Sequence, residues 1–402
     1  MVLGPGGSGV SAVAAAAASQ RPGASRDSRR VVSRPEQHTL LVTVDRWSPV
    51  CEWARVYRRP GEPLAVSKYL HLLTLDRLDL VEKTWSAFVD VLEHTAGRSK
   101  HVLPGVSTLA GIDAAELTSL PGIDDFLLLR RIRDEATSGR WHRIVVDASG
   151  CGDVLQFLRG GSVLGQALNR FWPRHRRLAA AAERPVMAQL TAAVDALDRD
   201  CADVAELFTD PHAVAMHLVL GAEDRSRRLA EHYLAGADVM GLPLASILVN
   251  RGVGAEDADG VVAHVGSLLG AGDAQVRVGT VERSAEAIDR MARVRKLGVR
   301  LPGPHGVPRG SAASRVDVLG GEGARPGTPA YRLSWPQRLP DPDSLALGRS
   351  GDDLLVTVSG FRHPVRLPSV LRRCTVTDAA WEQGRLSVGF VPDPAVWPQR
   401  QP

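Results

Sequence analysis

The sequence predicts an α/β protein: a mostly parallel sheet with flanking helices, followed by a small C-terminal antiparallel β-sandwich. Three observations predict it. A glycine-rich turn, Gly4-Pro-Gly-Gly-Ser-Gly9, leads directly into a strong helix former, Val13 to Ala18. Apolar runs then recur, several delivering a polar residue at the carboxyl end. Past a Gly/Pro/Ser-rich stretch the hydrophobic period drops to two.

The turn has the spacing of a phosphate-cradling P-loop, G-x-x-x-x-G-K-[ST]. Gly4, Gly9 and Ser11 are in place, and Val10 stands where the lysine belongs. Such glycines let backbone N–H groups face phosphate oxygens, and the following helix adds its positive dipole end. Residues 1–20 contain no Lys or Arg and their apolar content is mostly alanine, unlike a secretory signal. Only Val2 and Leu3 precede the loop as strand, so a truncated first strand is expected to weaken the sheet.

Thr39 to Val44 reads as a near-continuous apolar strand ending at Asp45, and Arg143 to Asp147 as another. Ala213–Leu220 and Leu244–Asn250 read as two more. Ligands of parallel sheets sit beyond the carboxyl strand ends, which makes the recurrence of Asp45, Asp147 and Asn250 there informative. Helical patterns fill residues 76–97, 121–138, 162–207 and 224–240. The expected domains are an ATPase-like unit over 1–302, a linker over 303–328 and a β unit over 329–396. In the last, Leu354, Val356 and Val358 alternate with Leu355, Thr357 and Ser359, and Leu386, Val388 and Phe390 with Arg385, Ser387 and Gly389.

Composition excludes several classes. With 402 residues, 23% of them charged and 44% hydrophobic, the chain is an ordinary soluble type with room for two domains. Its net charge of +4 is carried by arginine, lysine being confined to Lys68, Lys83, Lys100 and Lys296. The densest basic patch, Arg170, Arg174, Arg176 and Arg177 beside Phe171 and Trp172, is read as a solvated helix face, so no nucleic-acid partner is expected. No apolar run approaches the ~18 residues of a membrane span. Cys51, Cys151, Cys201 and Cys374 form no CxxC pair, which fits reduced thiols in a cytoplasmic protein. Cys51 and Cys151 lie just past strand ends and are read as buried thiols rather than a redox or metal pair.

Taken in order, the glycine loop, the strand ending in Asp45, Leu120-Pro-Gly-Ile-Asp124, the strand ending in Asp147 and Leu248-Val-Asn-Arg251 resemble the arsenical-pump ATPase family. That family includes the tail-anchored-protein targeting ATPases. The tail from Leu354-Leu-Val-Thr-Val-Ser-Gly-Phe-Arg to Pro392-Asp-Pro resembles the small heat-shock-protein-like domain fused to bacterial members. Against the family's G-K-G-G-x-G-K-[ST]-T loop, Gly4, Gly6, Gly7 and Gly9 match. Ser11 stands for the magnesium-ligating hydroxyl, while Pro5 and Val10 replace the two lysines. The first switch keeps Asp45, which the resemblance assigns to orienting the attacking water. The second keeps Asp147, a magnesium contact, and Gly152. Asn250 matches the adenine-contacting residue.

The resemblance therefore implies weak Mg-ATP or Mg-ADP binding through the loop glycines, Ser11, Asp147 and Asn250. Losing the loop lysine removes a charge-assisted bond worth about 1.5–3 kcal/mol. Removing one such donor slows catalysis by about 10²–10³. A degenerate, non-hydrolysing homologue acting as a regulatory or scaffold subunit is expected. One alternative is a working ATPase whose cation is Arg46 or an arginine from a partner; another is a nucleotide-independent interaction module. No zinc and no arsenite site is expected, because the family's cysteine clusters are not recognisable. Pro5 cannot reach across a dimer, so the chain is expected to be a monomer or to pair with an intact homologue.

Overall fold

The structure is a computed structural model; it describes residues 1–20, 37–97, 111–118, 122–183, 187–253, 257–319 and 330–397. Eight strands form its main sheet: β1 (Val2–Leu3), β2 (Thr39–Thr43), β3 (Leu64–Ala65), β4 (Leu70–Thr74), β5 (Arg143–Asp147), β6 (Met216–Gly221), β7 (Leu244–Asn250) and β8 (Arg277–Val281). Their order is β3-β4-β2-β5-β1-β6-β7-β8, and every pairing is parallel except β3 with β4. Helices cover the sheet, so β2 and β6 are buried along their whole length and are mostly apolar. The two-residue β1 sits between β5 and β6, Val2 opposite Asp147 on one side and His217 on the other.

Several elements differ from expectation. β4 and β8 were not anticipated, since His71 interrupts one run and Gly279 with Thr280 the other. The single pattern over 162–207 is three helices, Gly160–Phe171, Arg174–Glu183 and Ala188–Thr209. Pro173 has no N–H to continue the first of them. Arg177, expected on a solvated face, is fully buried. Its guanidinium donates to Asp195 and Asp198 at 2.7 Å each and to the Trp172 carbonyl at 2.8 Å. Leu120 and Pro121 lie outside the described residues.

The C-terminal part contains β9 (Arg315–Leu319), β10 (Ala330–Pro336), β11 (Ala346–Ser350), β12 (Asp353–Val358), β13 (Phe361–Arg366), β14 (Cys374–Glu382) and β15 (Arg385–Pro392). They make two antiparallel sheets, β14-β15-β10-β9 and β11-β12-β13. Leu354, Val356 and Val358 point inward, as do Leu386, Val388 and Phe390, in keeping with the period-two pattern. The stretch expected as linker is ordered where described. Gly310–Ala313 forms a 3₁₀ turn and Arg315–Leu319 is β9, paired with β10, while residues 320–328 lie outside the described part.

This β unit is docked on the helix Asp224–Met240. The apolar core runs from Leu3 and Leu155 through Leu234 to Trp335, Val356 and Leu386 without a break. Gln337 donates to the Ala235 carbonyl at 3.0 Å, and Ser311 to the Val239 carbonyl at 2.8 Å. At the seam, four charges meet below the surface. Arg338 donates to both carboxylate oxygens of Asp238 at 2.7 Å and also to Asp273, which Arg309 contacts as well. Burial opposes the Arg338 charge, but the two carboxylates prevail and raise its pKa.

Removing one member strands the others in low dielectric. Arg338→Met is therefore expected to cost about 3–5 kcal/mol of stability. Arg366→Met, which breaks pairs of a largely exposed guanidinium with Asp352 and Asp353, should cost about 1 kcal/mol. Urea unfolding of the two variants checks both.

His217 on β6 is buried, with Nδ1 2.9 Å from the Ser246 hydroxyl, and burial pushes its pKa well below the ordinary imidazole value. Its folded pKa is the lower one, so below about pH 6.5 the unfolded chain binds a proton that the folded chain refuses. Stability then falls as pH drops from neutrality. His217→Asn, which keeps a hydrogen-bonding group toward Ser246, is expected to flatten that loss. Urea midpoints of both proteins at pH 7.5 and 5 provide the comparison.

Candidate functional site

The carboxyl ends of β5, β1, β6 and β7 lie side by side, and the loops leaving them build one site. After β1 the chain turns through Gly4 to Gly9 and enters the helix Val10–Ser19. Gly7 and Gly9 adopt φ of 87° and 89°, the left-handed region that favours glycine. Space is also decisive. A Cβ on Gly4 would lie 2.1 Å from the Val219 carbonyl oxygen, and one on Gly9 would lie 2.2 Å from Asn250 Nδ2. On Gly6 and Gly7 a Cβ would meet nothing within 4 Å, so the loop is open on that side.

The helix's first bond outside its own interior runs from Val13 N–H to the Gly9 carbonyl. The N–H groups of Val10, Ser11 and Ala12 thus belong to the turn that has no intrahelical acceptor. Ser8 Oγ is buried with no hydrogen-bond partner. Together these donors form an anion-facing cradle. The two positions that carry lysine in the motif carry instead buried apolar side chains: Pro5 is covered, and Val10 is 5% exposed within the core.

Asp147 ends β5 and is completely buried. Burial pushes its carboxyl above the ordinary range, Asp45 adds to the rise, and bonds from Ser149 N–H and from the Ser11 and Ser149 hydroxyls oppose it. The Ser11 and Ser149 hydroxyls are 2.9 Å apart, and the Ser48 hydroxyl reaches Asp147 at 3.5 Å. Asp45 accepts from Trp47 N–H at 2.9 Å and lies against Gly150, where a Cβ would fall 2.6 Å from its Cγ. The Ser11 hydroxyl therefore meets the Asp147 carboxylate, and the Asp45 charge lies close enough to act on that carboxylate. Ser48, Ser149 and Gly150 were not anticipated, although a serine two places after a strand-end aspartate is a recognisable turn signal.

Asn250 occupies a position different in character from a free base contact. Its amide N–H donates to the Ser8 carbonyl at 3.0 Å and its carbonyl accepts from Gly252 N–H at 3.0 Å. Only 8% exposed, it braces the glycine loop. Gly152 has φ 72° in the loop after β5. Arg46 is exposed, its guanidinium 5.0 Å from the Trp47 ring centroid. Cys51 and Cys151 are half-buried, and desolvation raises both thiols, which keeps them protonated and weakly nucleophilic. Arg225, at the start of the helix after β6, donates to the Gly6 carbonyl at 3.1 Å. It lies more than two hundred residues from the loop in sequence, which hid it.

Asn250→Leu leaves the Ser8 carbonyl and Gly252 N–H unpaired, an expected loss of about 2 kcal/mol or more without any ligand present. A residue serving only a bound base would leave ligand-free stability within about 0.5 kcal/mol. Thermal or urea unfolding separates the two.

Residues 1–264 match the family model for the anion-transporting ATPases, and residues 330–390 match that for the HSP20-like domain found in ArsA. The chain is 32% identical to Protein Rv2184c of Mycobacterium tuberculosis, over 99% of this chain and 97% of that protein. It is also 32% identical to the uncharacterized protein SCO2128 of Streptomyces coelicolor, over 99% and 98%. A putative arsenical pump-driving ATPase of Chlorobaculum tepidum is 21% identical over 50% of each chain.

Proposed function

This chain belongs to the anion-transporting, ArsA-type ATPase family, and from that premise we propose that it binds Mg-nucleotide weakly and hydrolyses it far more slowly than a relative with both lysines. The observation that carries the proposal is the pairing of a preserved cradle with a missing charge. Gly4, Gly6, Gly7 and Gly9 hold the loop open and the helix presents free N–H groups. Yet the lysine positions are filled by Pro5 and Val10, both turned into protein.

The residues fit the ligand in kind. Backbone N–H groups and Ser8 would face the phosphates. Ser11 with Asp147, joined by Asp45, is a hydroxyl-and-carboxylate set that suits a hard cation such as Mg²⁺. A cation there would also favour the ionised form of Asp147, which burial otherwise disfavours. Bound magnesium nucleotide would supply an electrophilic phosphoryl group, and Asp45 would orient a water toward it. Phosphoryl transfer depends on positioned positive charge, so a site without its lysines should hold nucleotide better than it turns it over. On this reading the protein serves as a regulatory or scaffold subunit, and its docked β unit, from about residue 330 onward, is a presentation surface coupled to the ATPase-like part.

Calorimetric titration with Mg-ATP and a turnover assay test this together. Weak binding with turnover about 10²-fold or more below a two-lysine relative is expected. Turnover matching such a relative, and vanishing in Asp45→Asn, would overturn the proposal.

A second consequence concerns assembly. Pro5 provides no cation to reach into a partner's site, so ATP has no differential contact with which to favour self-pairing. We propose a monomer alone, or a heterodimer in which an intact homologue supplies the lysine. Light scattering after size exclusion should give the same mass with and without Mg-ATP; a homodimer that tightens with ATP would contradict it.

A further inference from the structure

The loop has no internal cation, but an arginine stands at its rim. Arg225 occupies the first turn of the helix Asp224–Met240, and one guanidinium N–H donates to the Gly6 carbonyl. Its other donors are uncommitted among the described residues, and no carboxylate there forms an ion pair with it. That sets it apart from Arg227 and Arg251. On the same helix Arg227 is bound to Asp257 at 2.7 Å, and at the end of β7 Arg251 is bound to Asp259 at 2.5 Å and Glu282 at 3.3 Å.

The backbone beneath Arg225 is fixed while the side chain is free. The buried Ser226 hydroxyl accepts from Gly221 N–H at 2.9 Å, tying the helix start to the end of β6. Gly6 carries no side chain to block approach, and the space over it is open. Arg46, a second exposed arginine near these loops, lies over its neighbour Trp47 and makes no hydrogen bond to the glycine loop among the described residues.

We propose that Arg225 is a phosphate-binding residue, supplying in cis the positive charge that Pro5 and Val10 leave out of the loop. The inference rests on the nucleotide reading above. A guanidinium offers a planar fork of N–H donors that pairs with phosphate oxygens, and it stays charged at any working pH. One of these donors rests on the Gly6 carbonyl, and a phosphate, being anionic, is the stronger acceptor.

Calorimetric titrations of Mg-ATP and of adenosine into the full-length protein test the proposal, with Arg225→Ala, Arg225→Lys and Arg228→Ala as variants. Arg228 is an exposed arginine of the same helix, so its removal controls for net charge. Arg225→Ala should weaken Mg-ATP by about tenfold or more and Arg225→Lys by less. Adenosine, which has no phosphate, should bind the wild type and Arg225→Ala alike, and Arg228→Ala should behave as wild type. If the wild type binds Mg-ATP and Arg225→Ala matches it, or Arg228→Ala loses as much, Arg225 has no phosphate role and the nucleotide reading stands. If the wild type binds no Mg-ATP, the nucleotide reading fails and takes this inference with it.

Discussion

Close backbone approach at the centre of the sheet is the constraint from which the rest of the site follows. Gly4 lies on the Val219 carbonyl, Gly9 under the Asn250 amide and Gly150 on Asp45, each where no Cβ fits. The first two set the loop after β1 against β6 and the end of β7, and the third sets the loop after β5 against the chain leaving β2. Because strand spacing in a sheet is fixed near 4.8 Å, loops leaving adjacent strands either interlock or clash. Here glycine makes them interlock, and Ser11, Asp147 and Asp45 are brought together as a result. The cradle is thus a property of the packed sheet.

The same logic of enclosed polarity governs the seam with the β unit. Asp238, Asp273, Arg309 and Arg338 carry no net charge together, but each is costly to bury alone. Such a cluster adds little stability over an apolar seam of equal size. What it adds is selectivity of arrangement, since any other docking angle leaves unpaired charge in a dry environment. The helix that carries Asp238 begins with Arg225 at the glycine loop. One rigid helix of 17 residues, about 25 Å long, therefore connects the loop rim with the β unit.

What was legible in the sequence was local. Loop glycines at fixed spacing, apolar runs ending in Asp45, Asp147 and Asn250, and the period-two tail are all written within a few consecutive residues. What was hidden depends on distant partners. The Arg170 to Arg177 stretch reads as a solvated face because the sequence around it does not reveal Asp195 and Asp198 on the opposing helix. β9 lies in Gly/Pro-rich sequence and becomes a strand only because β10 pairs with it. Asn250 was found for its position, but its bonds to Ser8 and Gly252 belong to the folded loop. Arg225 had no local signal, since an arginine on a helix is ordinarily just a soluble surface.

Position, as well as presence, decides what a cation contributes at such a site. A lysine inside the loop acts from a desolvated place, where a unit charge at ~4 Å is worth about 4 kcal/mol at an effective dielectric near 20. Arg225 is exposed, where the same separation yields nearer 1 kcal/mol in bulk water and salt reduces it further. Its fork adds directional hydrogen bonds, which strengthen ground-state binding. The transition state needs more than that, because charge developing on the leaving and equatorial oxygens must be met by a fixed, enclosed dipole or ion at the moment it forms. Val10 fills that enclosed place with hydrocarbon. On the proposed reading, an arginine at the rim would restore grip on the phosphates without restoring rate, so that binding and slow turnover would arise from one substitution pattern.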